Sequence, residues 1–158
     1  MKTLYIARHT QKDANLNKDD YDIPLTKKGL EDAKLMGKKL KEKGVNPDLI
    51  VSSPALRTSQ TAHEYAKALN YYKNIMYNDV LYMAFVNELI ETISYTYDNV
   101  NSMILVGHNP SVSALVLQIA GFTKEIPMGG IVKVEFDCDS WIDISKYNAK
   151  VIDFDYPR

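Results

Sequence analysis

Cysteine, arginine and histidine are all scarce in this chain, and each scarcity narrows what the remainder can mean. A single cysteine, Cys138, cannot close an internal disulfide, and its acidic neighbours in "DCDS" make it a poor thiolate. The expectation is a reducing, cytoplasmic setting and a fold held by packing alone. No apolar run approaches the roughly 20 residues of a membrane-spanning helix, and "MKTLYIARH" lacks the length and the small-residue cleavage site of an export signal. A formal net charge of −1 provides no field for nucleic acid or an anionic membrane, so neither is an expected partner. Internal repeats and Ser/Gly linkers are missing as well. The 158 residues therefore read as one domain, 1–158, long enough to bury a single core.

Sixteen of the nineteen basic residues are lysine, leaving only Arg8, Arg57 and the terminal Arg158. A chain that uses lysine for generic positive surface places arginine where it needs a planar, permanently charged fork. The three histidines are His9, His63 and His108. Three so far apart, without a carboxylate at ligand spacing, do not make a zinc site, and no metal or cofactor is expected.

Apolar runs alternate with helical patterns. "TLYIA" (Thr3 to Ala7) reads as a first strand, followed by a polar loop and a helix capped by Thr26, with Leu30, Ala33, Met36 or Gly37, and Leu40 on one face and Gly44 at its end. "DLIVSS" (Asp48 to Ser53) is a second strand, and Ser53-Pro54 reads as cap and first position of a helix reaching Leu69. "NIMYN" is a weaker strand and "FVNELIETISYTY" a helix. "SMILVGHNP" is a clear strand, after which Asn109-Pro110 again reads as cap and first helical position, with Gly121 closing that helix. "GGIVKVEF", "SWIDI" and "AKVIDFDY" alternate like strands and suggest an antiparallel edge or hairpin. The pattern is α/β: a three-layer sandwich with a mostly parallel central sheet, helices on both faces and an antiparallel C-terminal edge.

Ligands of such sheets gather beyond the carboxyl ends of the strands. Arg8, His9, Arg57 and His108 all fall there, beside the N–H groups that begin the helices after Ser53 and Asn109. Read singly, each has a structural explanation: a polar strand end, a solvated first-turn arginine, a turn with a helix cap. His63, inside the second helix, reads as a packed or partly exposed structural residue. Together, two arginines and two histidines suit a phosphoryl dianion, with forks for its oxygens and an imidazole able to attack phosphorus. The second imidazole, if protonated, would be a further charged donor.

"ARHT", "SSPALRTSQTA" and "VGHNPSV" resemble the three signature segments of the histidine phosphatase superfamily, which also contains the cofactor-dependent phosphoglycerate mutases. The likeness runs from about Thr3 to Leu115. It implies a phosphoglycerate mutase-like fold, with His9 as the nucleophile that becomes phosphorylated and Arg8, Arg57 and His108 as the phosphate pocket. The short chain, "DYDIPLTKKG" and "LYMA" resemble the small SixA-type phosphohistidine phosphatases. Mutases are typically longer and carry a glutamate acid in an insertion; Glu88 and Glu91 lie in the corresponding region, but within an amphipathic helix where they read as surface residues. Imidazole leaves from phosphohistidine more readily than an alkoxide leaves from an ester, so a missing acid favours a phosphorus–nitrogen substrate.

Asp20 and Asp22 are the best substitutes for an acid or a substrate-orienting carboxylate. Thr10 stands where the family often has glycine, and its hydroxyl either touches phosphate or tightens the pocket. Ile23 replaces a frequent arginine before "PL". Asn15 matches an asparagine near the pocket of mutase-like members, and Asn109 joins the expected substrate-binding set. The resulting expectation is a metal-independent phosphohydrolase acting on phosphohistidine in a phosphotransfer domain or phosphocarrier protein. The alternatives are a broad small-molecule phosphomonoesterase or mutase acting on phosphorylated metabolites and, from another class, a non-catalytic phosphate-binding module.

Overall fold

The computed structural model describes residues 1–158. Six strands, β1 (Lys2–Arg8), β2 (Leu49–Ser52), β3 (Met76–Tyr77), β4 (Ser102–Gly107), β5 (Ile131–Phe136) and β6 (Ala149–Asp155), form one sheet in the order β3-β2-β4-β1-β5-β6. The first four are parallel, whereas β5 runs antiparallel to both β1 and β6. Side-chain alternation along β1 sends Leu4 and Ile6 to one face and Tyr5 and Ala7 to the other. The first face packs on α3 (Val86–Ser94) and α4 (Ser111–Ala120), the second on α1 (Lys27–Glu42) and α2 (Leu56–Ala68). Burial on both faces is why the central strands read as continuous apolar runs.

Three local expectations need correction. "SWIDI" is not a strand: Trp141–Asp143 is a 3₁₀ turn in which the fully buried Trp141 donates its indole N–H to the Val100 carbonyl at 2.7 Å. The second helix begins at Leu56, two residues beyond Pro54, because Ser53 is drawn into side-chain contacts instead of capping. The fourth begins at Ser111, after Pro110, with Asn109 Oδ1 accepting from the Ser113 N–H at 3.3 Å and hydroxyl at 2.8 Å. Thr26 does cap α1, accepting from the Gly29 N–H at 2.9 Å. A Cβ at Gly29 would lie 2.2 Å from the Gln11 carbonyl oxygen, so only glycine lets α1 press against the segment that follows β1.

Candidate active site

Register brings the chemistry together. Parallel pairing sets Arg8 beside Gly107, so the next residues, His9 and His108, leave the sheet side by side with ring centroids 5.4 Å apart. β2 ends on the other flank of β4, and the first turn of α2 carries Arg57 into the same space. His9, Arg57 and His108 are all buried.

The tautomer of His9 follows from its partner. Nδ1 lies 2.7 Å from the Thr10 carbonyl oxygen, which can only accept, so Nδ1 carries the proton and Nε2 keeps a lone pair. That carbonyl is well fixed, since the Thr10 hydroxyl donates to Gly29 O at 2.7 Å and its N–H to Thr61 Oγ1 at 3.3 Å. Across β1, Gly129, at φ +79°, donates its N–H to the His9 carbonyl at 2.9 Å, and a Cβ there would lie 2.6 Å from the Pro157 ring. Burial first, then the positive charges of Arg57 and Arg8, lowers the His9 pKa from 6.5 to about 4. The ring is neutral near pH 7 and its Nε2 is available as a nucleophile.

His108 is also neutral: burial first, then His9 and Arg57, lowers its pKa to about 3. The charged second imidazole considered from the sequence is therefore absent from the free protein. His108 Nε2 lies 2.8 Å from Ser53 Oγ, which already accepts from the Ala55 N–H at 3.3 Å. Ser53 can donate its proton to Nε2 while accepting from Ala55, and in that tautomer the ring's own proton sits on Nδ1 as a neutral donor. Nδ1 of His108, Nε of Arg8 and Nε of Arg57 are buried without any protein partner. Buried polar nitrogens are costly unless a ligand satisfies them, and two arginine N–H donors with an imidazole nitrogen at one sheet end describe an anion site.

Each arginine is anchored through its other nitrogens. Arg8 Nη1 donates to the Ile126 carbonyl at 3.1 Å, which also accepts from Asn109 Nδ2 at 2.9 Å. Arg57 Nη1 and Nη2 donate to the Asp20 carbonyl at 2.6 Å and carboxylate at 2.9 Å. The same carboxylate accepts from the Tyr82 hydroxyl at 2.7 Å, and Tyr82 stands edge-on to His108 with centroids 5.7 Å apart. The Tyr82 hydrogen bond first, then Arg57, holds Asp20 at a pKa of about 2, so it is a carboxylate and has no proton to donate as an acid. Tyr82 is pushed up to about 12, by burial and by Asp20.

The remaining expected residues are more distant from this chemistry. The Thr10 hydroxyl is fully buried and tied to Gly29, so it tightens the loop instead of facing a ligand. The Asn109 side chain is spent on Ser113, Ile126 and, at 3.5 Å, the Glu125 carboxylate, a positioning role in place of direct substrate contact. Asn15 and Asp22 are exposed, and neither side chain bonds to the site. Glu88 accepts from the Phe85 N–H at 3.0 Å at the start of α3, Glu91 is exposed, and His63 is exposed on α2. Of the α4 N–H groups, those of Val112 and Ser113 are taken by His108 O and Asn109 Oδ1 and are not open to an anion. Ser53 and Tyr82 were missed as site residues; "SSP" and "LYMA" were the only signals that could have marked them. No group of three or more His, Cys, Asp or Glu side chains is arranged to hold a metal ion. A cavity of about 460 Å³ opens above Arg57, Tyr82 and His108, with Met83 and Phe85, each 80% exposed, on its rim.

Comparison with known proteins bears on this arrangement. Among curated proteins the chain is 30% identical over 151 residues to the uncharacterized protein Rv1276c of Mycobacterium tuberculosis, covering 88% of this chain and 92% of that one. A solved structure assigned as a phosphohistidine phosphatase SixA from Agrobacterium tumefaciens superposes with a TM-score of 0.83 at 27% identity, covering 99% of each chain. The protein histidine phosphatase SixA complexed with tungstate gives 0.84 at 24% identity over 98% of this chain and 97% of the other. Residues 4–80 match the family model of the histidine phosphatase superfamily, branch 1. That match spans β1 with His9 and the start of α2 with Arg57, and with whole-chain likeness in sequence and fold it places this protein in the histidine phosphatase superfamily, with a SixA-like, phosphoglycerate mutase-like fold.

Proposed function

We propose that this chain is a metal-independent phosphohydrolase working through phosphorylated His9, and that its substrate is phosphohistidine on a phosphotransfer domain or phosphocarrier protein. The observation that carries the reading is the neutral, oriented His9 ring beside three buried nitrogens without protein partners, from Arg8, Arg57 and His108. Those nitrogens receive the phosphoryl oxygens and stabilise the charge that spreads over them as the Nε2 lone pair attacks phosphorus in line. The bond to the leaving group breaks with its electron pair departing on that group, and a phosphohistidine forms at His9. Water then attacks the same phosphorus, releasing phosphate and restoring the ring.

Two features support a protein substrate. The cavity rim is apolar and exposed at Met83 and Phe85, which suits another protein's surface more than a small polar metabolite. The carboxyl group bonded to Arg57, Asp20, is ionised and held by Arg57 and Tyr82, so it offers an alkoxide leaving group no proton. The free thiol of Cys138 is in keeping with a cytoplasmic setting, and no helix is long and apolar enough to cross a membrane.

Phosphate release from a phosphohistidine protein and from an alkyl phosphate, with chelator present, tests the reading. Wild type is expected to prefer phosphohistidine, and His9→Ala to lose at least ~1,000-fold in rate, as removal of a covalent nucleophile does. Equal or better use of the alkyl phosphate moves the protein to a broad phosphomonoesterase. Turnover surviving in His9→Ala, or wild type binding phosphate without turning it over, overturns the mechanism.

A further inference from the structure

Asp20 is the carboxylate bonded to Arg57 in the site, while Glu125 reaches only the Asn109 amide, at 3.5 Å, and the two-step reaction above uses neither. The main-chain and side-chain oxygens of Asp20 grip the outer end of the Arg57 guanidinium, leaving the buried Arg57 Nε free. Asp20 therefore does not plug the anion site. Its carboxylate is half exposed and lines the cavity mouth with Tyr82 and His108. His9 lies deeper, at 4% exposure. In an in-line displacement the leaving group departs on the side opposite the nucleophile, and the cavity is open space beside Arg57 and His108 to receive it.

We infer that Asp20 is a specificity-determining residue that accepts a hydrogen bond from the far ring N–H of the departing imidazole, so that the site selects phosphorus–nitrogen substrates over phosphate esters. This rests on the phosphohistidine reading above. When the P–N bond breaks, its electron pair passes to the phosphorylated ring nitrogen. If the other ring nitrogen carries a proton, the product is neutral imidazole; if it does not, the product is the much poorer leaving group imidazolide. A fixed carboxylate beside that nitrogen favours the protonated form and needs no proton of its own. The same charge works against an ester in two ways. It cannot protonate the departing alkoxide, and it repels the carboxylate of a substrate such as phosphoserine.

The groups facing Asp20 fit a carboxylate fixed in charge and direction. Arg57 from α2 and the Tyr82 hydroxyl hold Oδ2. Lys12 Nζ lies 3.6 Å from Oδ1. His108 and Tyr21 complete the surroundings, each packed on the Tyr82 ring. None of these is a second carboxylate that could share or replace the role.

The test compares wild type, Asp20→Asn and Asp20→Glu on a histidine-phosphorylated peptide and on phosphoserine. Asp20→Asn is expected to lower kcat/KM for the phosphopeptide about 10-fold while raising it about 2-fold for phosphoserine, with Asp20→Glu recovering part of the first loss. The single-turnover rate of P–N cleavage should fall off on the alkaline side at a pH about one unit lower in Asp20→Asn, because the neighbouring charge no longer supports the ring proton. A purely structural role in holding Arg57 would lower both substrates by the same factor and leave the pH profile in place, and that result overturns the inference alone. Failure of wild type to release phosphate from the phosphopeptide overturns the phosphohistidine reading and this inference together.

Discussion

Strand β1 ends in a basic residue at both of its limits, and the two ends are treated oppositely. Lys2 at its start is 1% exposed, and its ammonium donates to Asp98 O, Val100 O and Asn101 Oδ1 at 2.6, 3.0 and 2.9 Å. Every proton of that cation has a protein acceptor, and the Trp141 ring packs 5.9 Å from it. Arg8 at the far end keeps a buried Nε–H with no acceptor, as do Arg57 and His108 beside it. A buried cation fully satisfied by the protein is part of the scaffold. Buried donors left open commit that end of the sheet to something the protein does not itself supply.

Three experiments would break or sharpen that contrast. The largest effect is expected at the open end: Arg57→Ala should lower kcat/KM by about 100- to 1,000-fold, as loss of a donor to the transferring group does, with little loss of stability. Steady-state kinetics alongside a thermal melt would check it, and a loss of folding matching the loss of activity would place Arg57 with Lys2. At the closed end, Lys2→Met removes the ammonium and strands its acceptors, which should cost roughly 2–4 kcal/mol and lower the melting temperature by roughly 5–15 °C. The kcat/KM of its folded form should match wild type. The smallest effect concerns pH. Because His9 and His108 titrate at about 4 and 3 in the fold against 6.5 in an exposed ring, the unfolded chain binds more protons between these values. Their contribution is fully present above about pH 6.5 and is lost as pH falls through about 4 and then 3. Denaturant melts of wild type should weaken across that window on the order of 1–2 kcal/mol more than those of His108→Gln. Parallel curves would mean that the rings are not held neutral.

Much of the open end was legible because it depends on short-range punctuation. Arg8-His9 and Gly107-His108 end apolar runs, and Arg57 follows a strand by one helical turn, so an α/β reading was enough to bring them to one sheet edge. Ser53 and Tyr82 escaped because their roles exist only across the fold. Ser53 meets His108 from 55 positions away, and Tyr82 meets Asp20 from 62. The same long-range pairing misled the local reading of "SSP", where a serine suited to capping was diverted to an imidazole. "SWIDI" failed for a related reason: its alternation is genuine, but the burial of one large indole decides its course. Asp20 was legible as a carboxylate near the site, but its partners Tyr82 and Arg57, which lower its pKa further and fix its direction, were not.

The clamp on His9 has a consequence for how this protein can change over generations. The proposed nucleophile is oriented by the carbonyl of the very next residue, itself fixed by Gly29 and Thr61, all part of the packed scaffold. The residues that line the cavity beside it, Asp20, Tyr82, Met83 and Phe85, stand on other segments. Under the proposed mechanism, mutations at that cavity would change which leaving group is accepted while leaving in place the bonds that orient the His9 ring.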